Sequence, residues 1–166
     1  LMPVVLARID DRLIHGQVTV GWSRQLRPDR IILASNAIAA DAWQSRVYAS
    51  SVPPEIKVSI LSVARAAAVL ADPANVDERI LLLTGSAGEM NELMHIGAPL
   101  AVVNVGGLHF SAGKKELLPF VFVDQPDLKA FNRLLDMGAR LSAQQVPGGK
   151  EYTLDRRRLH EMAAGF

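Results

Sequence analysis

At 166 residues, the chain is long enough to bury roughly 70% of its unfolded surface in one hydrophobic core. Hydrophobic residues make up 49% of the sequence and charged residues 21%, a balance that is typical of globular proteins and excludes a disordered chain. The formal net charge of +1 indicates no nucleic-acid partner, and the absence of cysteine excludes disulfides and thiolate metal sites. No apolar run approaches the ~18 residues needed to cross a bilayer, and no leader pattern is present. We therefore expect a single cytoplasmic domain over residues 1–166.

Short apolar runs alternate with amphipathic stretches along the chain, which is typical of βαβ units. The apolar runs predict strands over Val4–Ile9, Arg30–Ala34, Lys57–Leu61, Ile80–Thr84, Leu100–Val103, Phe120–Val123 and Arg140–Gln144. The amphipathic stretches predict helices over Gly16–Gln25, Asp41–Ser50, Val63–Ala71, Ala87–Met94, Gln125–Met137 and Leu154–Ala163. Several strands lack polar alternation, as expected when both faces of a sheet are covered. The sequence thus predicts an α/β fold with a mainly parallel central sheet of about seven strands, flanked by helices on both faces.

Polar and small residues recur directly after the apolar runs, at positions that lie along the carboxyl edge of a parallel sheet. They are His15 and its neighbours, Ser35-Asn36, Thr84-Gly85-Ser86, and Asn104 with Gly106-Gly107. Ligands bind at this edge in α/β proteins, so we expect one cleft formed from separate parts of the chain. Asn36, Thr84, Ser86 and Asn104 are candidate phosphate ligands, and helix capping is the alternative role for these residue types.

The stretch Arg8–His15, where the first strand ends and the first helix begins, contains two arginines, two aspartates and a histidine. A helix N-terminus offers free N–H groups and a partial positive charge, which suit a phosphate. In this setting we interpret His15 as a nucleophile that accepts a phosphoryl group. Arg8 or Arg12 would supply a planar donor fork for the phosphate oxygens.

The remaining residues of this stretch have supporting roles in the same interpretation. Asp10 would orient the imidazole or hold an arginine, as carboxylates do around functional histidines. Gly16 and Gln17 would present backbone N–H groups to the phosphate. An ion-pair network that only stabilises the fold is the alternative for the charged residues Arg8, Asp10, Asp11 and Arg12.

Other kinds of site find no support in the sequence. The four histidines lack a paired metal-ligand spacing, so no metal is predicted. The glycines form neither a Walker nor a dinucleotide fingerprint, and the Gly-x-Ser-x-Gly elbow of serine hydrolases is missing. We interpret His95, His109 and His160 as structural or solvent-facing residues.

The run Arg8-Ile-Asp-Asp-Arg-Leu-Ile-His15-Gly-Gln-Val resembles the phosphorylation-site loop of IIB components of the mannose/fructose/sorbose class of sugar phosphotransferase systems. The resemblance continues at Asn104-Val-Gly-Gly107, at Gly113-Lys-Lys115 and in the order of strands and helices. It implies that His15 is the phosphorylated residue, through Nδ1. Ser35-Asn36 departs from the Asn-Asp that we expect at this point in many relatives.

The resemblance also implies a place in a transport system. His15 would receive phosphate from a phosphohistidine on a IIA partner and pass it to a sugar bound by a membrane IIC/IID partner. The protein would lie peripherally on that membrane permease and would need no metal or organic cofactor; a homodimer is compatible with the sequence. Two alternatives stay open, namely a regulatory phosphocarrier without sugar transport and a non-enzymatic anion-binding module.

Overall fold

The computed structural model describes residues 3–166 and has a seven-stranded sheet at its centre. Over these residues the strands are β1 (Val4–Asp10), β2 (Arg30–Ala34), β3 (Lys57–Leu61), β4 (Ile80–Thr84), β5 (Val102–Gly107), β6 (Lys115–Leu118), β7 (Val121–Val123), β8 (Arg140–Ala143) and β9 (Tyr152–Thr153). The strand order in the sheet is β3-β2-β4-β1-β5-β8-β9. All neighbouring pairs are parallel except β8 and β9, which confirms the predicted α/β fold with a mainly parallel sheet.

Helices connect the strands. They are α1 (Ser23–Leu26), α2 (Asn36–Ala39), α3 (Ala42–Ser50), α4 (Val63–Ala71), α5 (Ala87–Ile96), α6 (Gln125–Asp136) and α7 (Arg156–Ala163). A π-helical segment, Gln17–Trp22, runs directly into α1, and Pro73–Asn75 forms a 3₁₀ turn. Among the described residues, no helix combines the length and apolar character needed to cross a membrane.

Two apolar clusters cover the two faces of the sheet. In β4, Leu82 points into one cluster, together with residues of α4 to α7, while Leu81 and Leu83 point into the other. The second cluster includes Val18 and Trp22 of the π-helical segment. Every residue of β4 is buried, because a central parallel strand has helices on both sides.

The sequence prediction for Phe120–Val123 was wrong about its partner. This segment forms β7, which pairs antiparallel with β6 in a separate hairpin, so it is not a strand of the central sheet. Local pairing across a short turn needs no crossover connection, which a parallel strand would require. β9 takes the outer position of the sheet. A strand of two residues is too short for a sequence pattern to indicate.

Two elements of the central sheet and its helices begin two residues later than predicted. The fifth strand begins at Val102 and not Leu100, and it continues through the glycines to Gly107. The last helix begins at Arg156 and not Leu154, because the Asp155 carboxylate caps it by accepting a hydrogen bond from the Arg158 backbone N–H at 2.9 Å.

Candidate active site

The candidate site is built at the carboxyl end of β1, a strand flanked by β4 and β5. Side chains two residues apart lie on the same face of a strand, so Arg8 and Asp10 are neighbours. Both side chains are fully buried. The loop that follows β1 brings Arg12 and His15 back towards Asp10, and the predicted cluster of charged residues therefore forms around this carboxylate.

Asp10 accepts hydrogen bonds from three side chains. Its Oδ2 atom lies 2.9 Å from Arg12 Nη2, 3.0 Å from His15 Nε2 and 3.2 Å from Arg8 Nη2. Its Oδ1 atom accepts from the Nε and the backbone N of Arg12, both at 3.1 Å. Burial alone would raise the pKa of Asp10, but the hydrogen bonds from His15 and Arg12 and the charge of Arg8 outweigh it and hold that pKa well below its usual value. Asp10 is therefore ionised at neutral pH.

The contact with Asp10 determines which nitrogen of His15 is available for chemistry. A carboxylate accepts hydrogen bonds and does not donate them, so Nε2 of His15 carries the proton. The lone pair of the neutral ring then lies on Nδ1, which is 3.3 Å from the backbone N of Gln17. The side chain of His15 is 18% exposed, so a phosphoryl donor can approach this nitrogen from solvent. The geometry favours Nδ1 as the nucleophile.

The backbone of the loop turns sharply to place His15 beside Asp10. Leu13 has a φ angle of 63°, in the left-handed region that residues other than glycine rarely adopt, and its N–H donates to the Asp10 carbonyl at 3.0 Å. A Cβ at Gly85 would lie 3.0 Å from the Leu13 side chain, so the glycine provides space for this turn. The carbonyl of His15 then accepts hydrogen bonds from Val18 and Thr19 and begins the π-helical segment.

Arg8 lies in the interior, on the buried side of Asp10, and does not reach the solvent-facing part of the site. Its Nη1 atom donates to Asn104 Oδ1 at 2.7 Å and to the Gln144 carbonyl at 2.9 Å, and its Nη2 atom donates to the Gln145 carbonyl at 2.8 Å. A Cβ at Gly106 would overlap the guanidinium, so only glycine leaves room for it. Desolvation lowers the pKa of Arg8 to about 10, and the group stays charged at neutral pH. Its contacts position Asp10.

Arg12 faces the solvent side of the same carboxylate. Its side chain is 30% exposed, and its Nε and Nη2 atoms both contact Asp10. Within residues 3–166, Nη1 has no hydrogen-bond partner, so one edge of the guanidinium can receive a ligand. Of the two arginines that the sequence predicted as phosphate donors, Arg12 has the accessible geometry.

The other predicted phosphate ligands lie at the same edge of the sheet, and each forms a hydrogen bond within or beside a strand-to-helix connection. Thr84 Oγ1 donates to the Ser86 carbonyl at 2.9 Å. Ser86 Oγ caps α5 by accepting from the Glu89 backbone N–H at 3.2 Å, and Asn36 Oδ1 accepts from the Val63 backbone N–H at the start of α4, at 2.9 Å. The hydrogen bonds of Ser86 and Asn36 match the capping alternative, whereas Thr84 donates to a carbonyl. Within residues 3–166, none of the three side chains is hydrogen-bonded to His15 or Asp10.

A second aspartate–histidine pair lies next to the site, and the sequence pattern did not predict it. Asp11 Oδ1 is 2.5 Å from His109 Nδ1, and Asp11 Oδ2 accepts from the His109 backbone N–H at 2.7 Å. The His109 side chain is 64% exposed, as expected of a solvent-facing residue. Asp10 is the last residue of β1 and Asp11 begins the following turn, and the two carboxylates have different partners.

Comparison with known proteins places this site in a family. Residues 4–162 match the family described as PTS system sorbose subfamily IIB component. The sorbose-specific EIIB component of Lacticaseibacillus casei is 37% identical over 145 residues, which are 87% of this chain and 88% of that protein. The fructose-specific EIIB component of Bacillus subtilis is 36% identical over 147 residues, 89% of this chain and 90% of that protein.

A solved structure shows the same architecture. The IIBSor domain of the sorbose permease from Klebsiella pneumoniae superposes with a TM-score of 0.89 at 32% identity, covering 96% of this chain and 98% of that one. Fold, site and relatives define a phosphotransferase of a sugar phosphotransferase system. Within that class, the chain belongs to the sorbose subfamily of IIB components.

Proposed function

We propose that His15 Nδ1 accepts a phosphoryl group from a phosphohistidine on a IIA partner and passes it to a sugar. The observation that carries this proposal is the 3.0 Å contact between His15 Nε2 and the ionised Asp10, which leaves the lone pair on Nδ1. One relative is named as a mannose-specific EIIAB component, in Escherichia coli; it is 36% identical to this chain, which covers 45% of it. That name combines IIA and IIB in one polypeptide and supports a IIA protein as the donor.

In the first transfer, the Nδ1 lone pair forms a bond to phosphorus while the bond from phosphorus to the donor nitrogen breaks. His15 then carries phosphate on Nδ1 and a proton on Nε2, so its ring is an imidazolium. Asp10 balances this positive charge across the 3.0 Å contact. In the second transfer, the sugar hydroxyl oxygen forms a bond to phosphorus while the N–P bond breaks and its electron pair returns to Nδ1. The hydroxyl proton is released to solvent.

The transferred group passes through a loose, metaphosphate-like state, so its three oxygens need donors that are already in position. The Gln17 backbone N–H points at Nδ1 and would meet the phosphate there. The free edge of Arg12 supplies a guanidinium, and Gly16 supplies a further N–H at the start of the π-helical segment. To donate to a phosphate oxygen, Thr84 would give up its hydrogen bond to the Ser86 carbonyl and Ser86 its hydrogen bond to Glu89 Oε1. Asn36 would donate through its Nδ2 group while Oδ1 keeps the Val63 N–H.

We place the protein, as one domain over residues 1–166, on the cytoplasmic side of a membrane IIC/IID permease. The relatives are named for sorbose, fructose, mannose and N-acetylgalactosamine. A hexose or an N-acetylated hexosamine is therefore the acceptor that we propose.

Phosphorylation in a reconstituted system tests this function. The protein is incubated with phosphoenolpyruvate, the general phosphotransferase proteins and IIA, and acid-labile phosphate is then mapped by mass spectrometry at neutral pH. We expect label on His15 that depends on IIA. Phosphate affinity without labelled His15 would instead identify an anion-binding module, and stable label that no sugar discharges would identify a regulatory phosphocarrier.

Replacing Arg12 with lysine is expected to slow phosphoryl transfer strongly, although the positive charge is kept. A guanidinium can hold Asp10 along one edge and contact a phosphate oxygen with the other, whereas an ammonium is a compact point charge. Loss of one preorganised donor costs about 3–4 kcal/mol of barrier, or roughly 10²–10³ in rate. The measurement is the single-turnover rate from phosphorylated IIA, followed together with the melting temperature.

Arg65→Lys is the matched control, because Arg65 is exposed on α4. It should keep both the transfer rate and the melting temperature of the wild type. An Arg12→Lys rate within about threefold of wild type, a barrier change below ~1 kcal/mol, would show that Arg12 only braces Asp10.

A further inference from the structure

The buried charge of Arg8 is only partly balanced by its hydrogen bonds. Four of its N–H groups donate to oxygen atoms, and one of these four acceptors, Asp10 Oδ2, belongs to a carboxylate. Asp10 shares that oxygen with Arg12 and His15. The fifth N–H group of Arg8, on Nε, is buried and has no hydrogen-bond partner among residues 3–166. A buried cation with an unused donor needs a further source of stabilisation.

The indole ring of Trp22 provides that stabilisation. The central guanidinium carbon of Arg8 lies over the face of this ring, 5.2 Å from its centre. The face of an aromatic ring attracts cations, and tryptophan is the side chain that does so most strongly. Trp22 is 5% exposed and Arg8 is fully buried, so water does not weaken the attraction between them.

The alternation of side chains along β1 explains why these two residues meet. Ala7 and Ile9 belong to the apolar cluster on one face of the sheet, whereas Leu6 packs against the cluster on the other face. Arg8 lies two residues after Leu6 and therefore points to the same face. Trp22 is part of the cluster on that face, so the charged group ends against its ring.

The helical segment that ends at Trp22 also contacts the reacting histidine. Its first residue, Gln17, has its backbone N–H 3.3 Å from His15 Nδ1. Its last residue, Trp22, covers Arg8, which in turn holds Asp10 Oδ2 at 3.2 Å. The segment is thus linked to both nitrogens of the imidazole, to Nδ1 through Gln17 and to Nε2 through Trp22, Arg8 and Asp10.

We propose that Trp22 is a positioning residue for phosphoryl transfer, because its indole face fixes the guanidinium of Arg8 and thereby the carboxylate of Asp10. This inference rests on the proposed transfer through His15. The role is indirect: Trp22 keeps Asp10 Oδ2 within hydrogen-bond distance of His15 Nε2 while positive charge forms on the imidazole. A tryptophan that only filled the core would need its volume and not the charge distribution of its ring.

Fluorination of the indole tests this role with almost no change in its shape. Each fluorine withdraws electron density from the ring face and weakens its attraction for a cation. In a Trp43→Phe protein Trp22 is the only tryptophan, so analogues with one, two or three fluorine atoms enter at this position alone. We expect the single-turnover rate from phosphorylated IIA to fall with each fluorine, by about tenfold over the series.

The chain offers a matched control in Trp43, which is 67% exposed on α3. In a Trp22→Phe protein, fluorinated tryptophan enters only at Trp43. The transfer rate of that protein should not depend on the number of fluorine atoms. Circular dichroism melting verifies that every protein in both series is folded at the temperature of the rate measurement.

Two substitutions separate the aromatic face from apolar bulk. Trp22→Phe keeps an aromatic face and Trp22→Leu does not, while both leave a smaller apolar side chain in the core. We expect the folded leucine variant to transfer at least roughly threefold more slowly than the phenylalanine variant. Nitrogen NMR of the His15 ring, whose Nε2 resonance reports the hydrogen bond to Asp10, should shift in the leucine variant and not in Trp43→Leu.

Three results would overturn this role of Trp22. A rate that does not change with fluorine at Trp22, in protein that is labelled on His15, would show that the ring only fills the core. Equal transfer rates in the folded phenylalanine and leucine variants would show the same. An equal fluorine dependence at Trp43 would trace the effect to the analogues themselves. Absence of label on wild-type His15 is instead the failure of the proposed function, and this inference fails with it.

Discussion

Replacing His15 with alanine is expected to abolish phosphoryl acceptance and to leave the protein folded. The substitution removes Nδ1, which has a lone pair and lies on a partly exposed ring. Asp10 keeps its hydrogen bonds to Arg8 and Arg12, so no buried charge loses all of its partners. The measurements are incorporation of acid-labile phosphate from phosphorylated IIA and thermal unfolding by circular dichroism.

The other histidines provide the controls for this experiment. His95→Ala on α5 and His160→Ala on α7 should accept phosphate as the wild type does, and so should His109→Ala. Undiminished labelling of the His15 variant would contradict the assignment of the nucleophile. Labelling lost together with the folded state would instead show that His15 supports the structure of the loop.

Most of the central sheet could be predicted because its strands are continuous apolar runs. β4 is buried at every position, and a run such as Ile80–Thr84 indicates a strand covered on both faces. The run Phe120–Val123 has the same appearance, yet it pairs with the neighbouring β6. A sequence pattern reports burial and not the identity of the partner strand, so the hairpin and the two-residue β9 were missed.

The candidate site also has a part that could be predicted from the sequence and a part that could not. The first consists of contacts between sequence neighbours, and the second of contacts between distant residues. Asp10, Arg12 and His15 lie within six consecutive residues, and their chemistry could be read from one motif. The contacts of Arg8 join it to Asn104 and to the carbonyls of residues 144 and 145, more than ninety positions away. Its buried, positioning geometry follows from the strand order, in which β1 lies beside β5, and that order cannot be read from the sequence alone.

Residue type alone also cannot separate a phosphate ligand from a helix cap. Serine and asparagine can take either role, because each side chain has an oxygen that accepts from backbone N–H groups and an O–H or N–H group that donates to anions. Ser86 follows an apolar run as His15 does, but its hydroxyl faces the first turn of α5. Only the position of the helix that follows each strand decides between the two roles.

The charges around Asp10 explain why the site suits a phosphoryl group. Two guanidinium groups, from Arg8 and Arg12, face a single ionised carboxylate, so the cluster has a net positive charge before phosphate arrives. Arg8 is buried and fixed, and therefore provides a constant field, whereas Arg12 is partly exposed and can contact the ligand. A cluster of this sign attracts a phosphoryl group, while Asp10 keeps the imidazole in the reactive tautomer.

Replacing Asp10 with asparagine is expected to lower the rate of phosphoryl transfer at least hundredfold. If the amide oxygen takes the Oδ2 position, it still orients His15, but it is neutral and does not balance the imidazolium that forms on transfer. If the amide nitrogen takes that position, it donates to Nε2 and moves the ring proton to Nδ1, which removes the nucleophile. The corresponding aspartate-to-asparagine change in serine proteases lowers kcat about 10⁴-fold. The measurement is the single-turnover rate from phosphorylated IIA, at a temperature where both proteins are folded.

The same substitution should also change the dependence of stability on pH. The pKa of Asp10 is lower in the folded protein than in the unfolded chain, so its stabilising effect is present above the unfolded pKa of about 4 and is lost as the pH falls. Asp10→Asn should therefore be less stable than wild type at pH 7, by about 3–5 kcal/mol for a broken buried ion pair, and this difference should shrink towards pH 3. Urea unfolding at both pH values measures it, and Asp155→Asn, which alters an exposed carboxylate that caps α7, is the control. A transfer rate within threefold of wild type in a folded Asp10→Asn protein would show that this carboxylate holds the arginines without controlling the chemistry of His15.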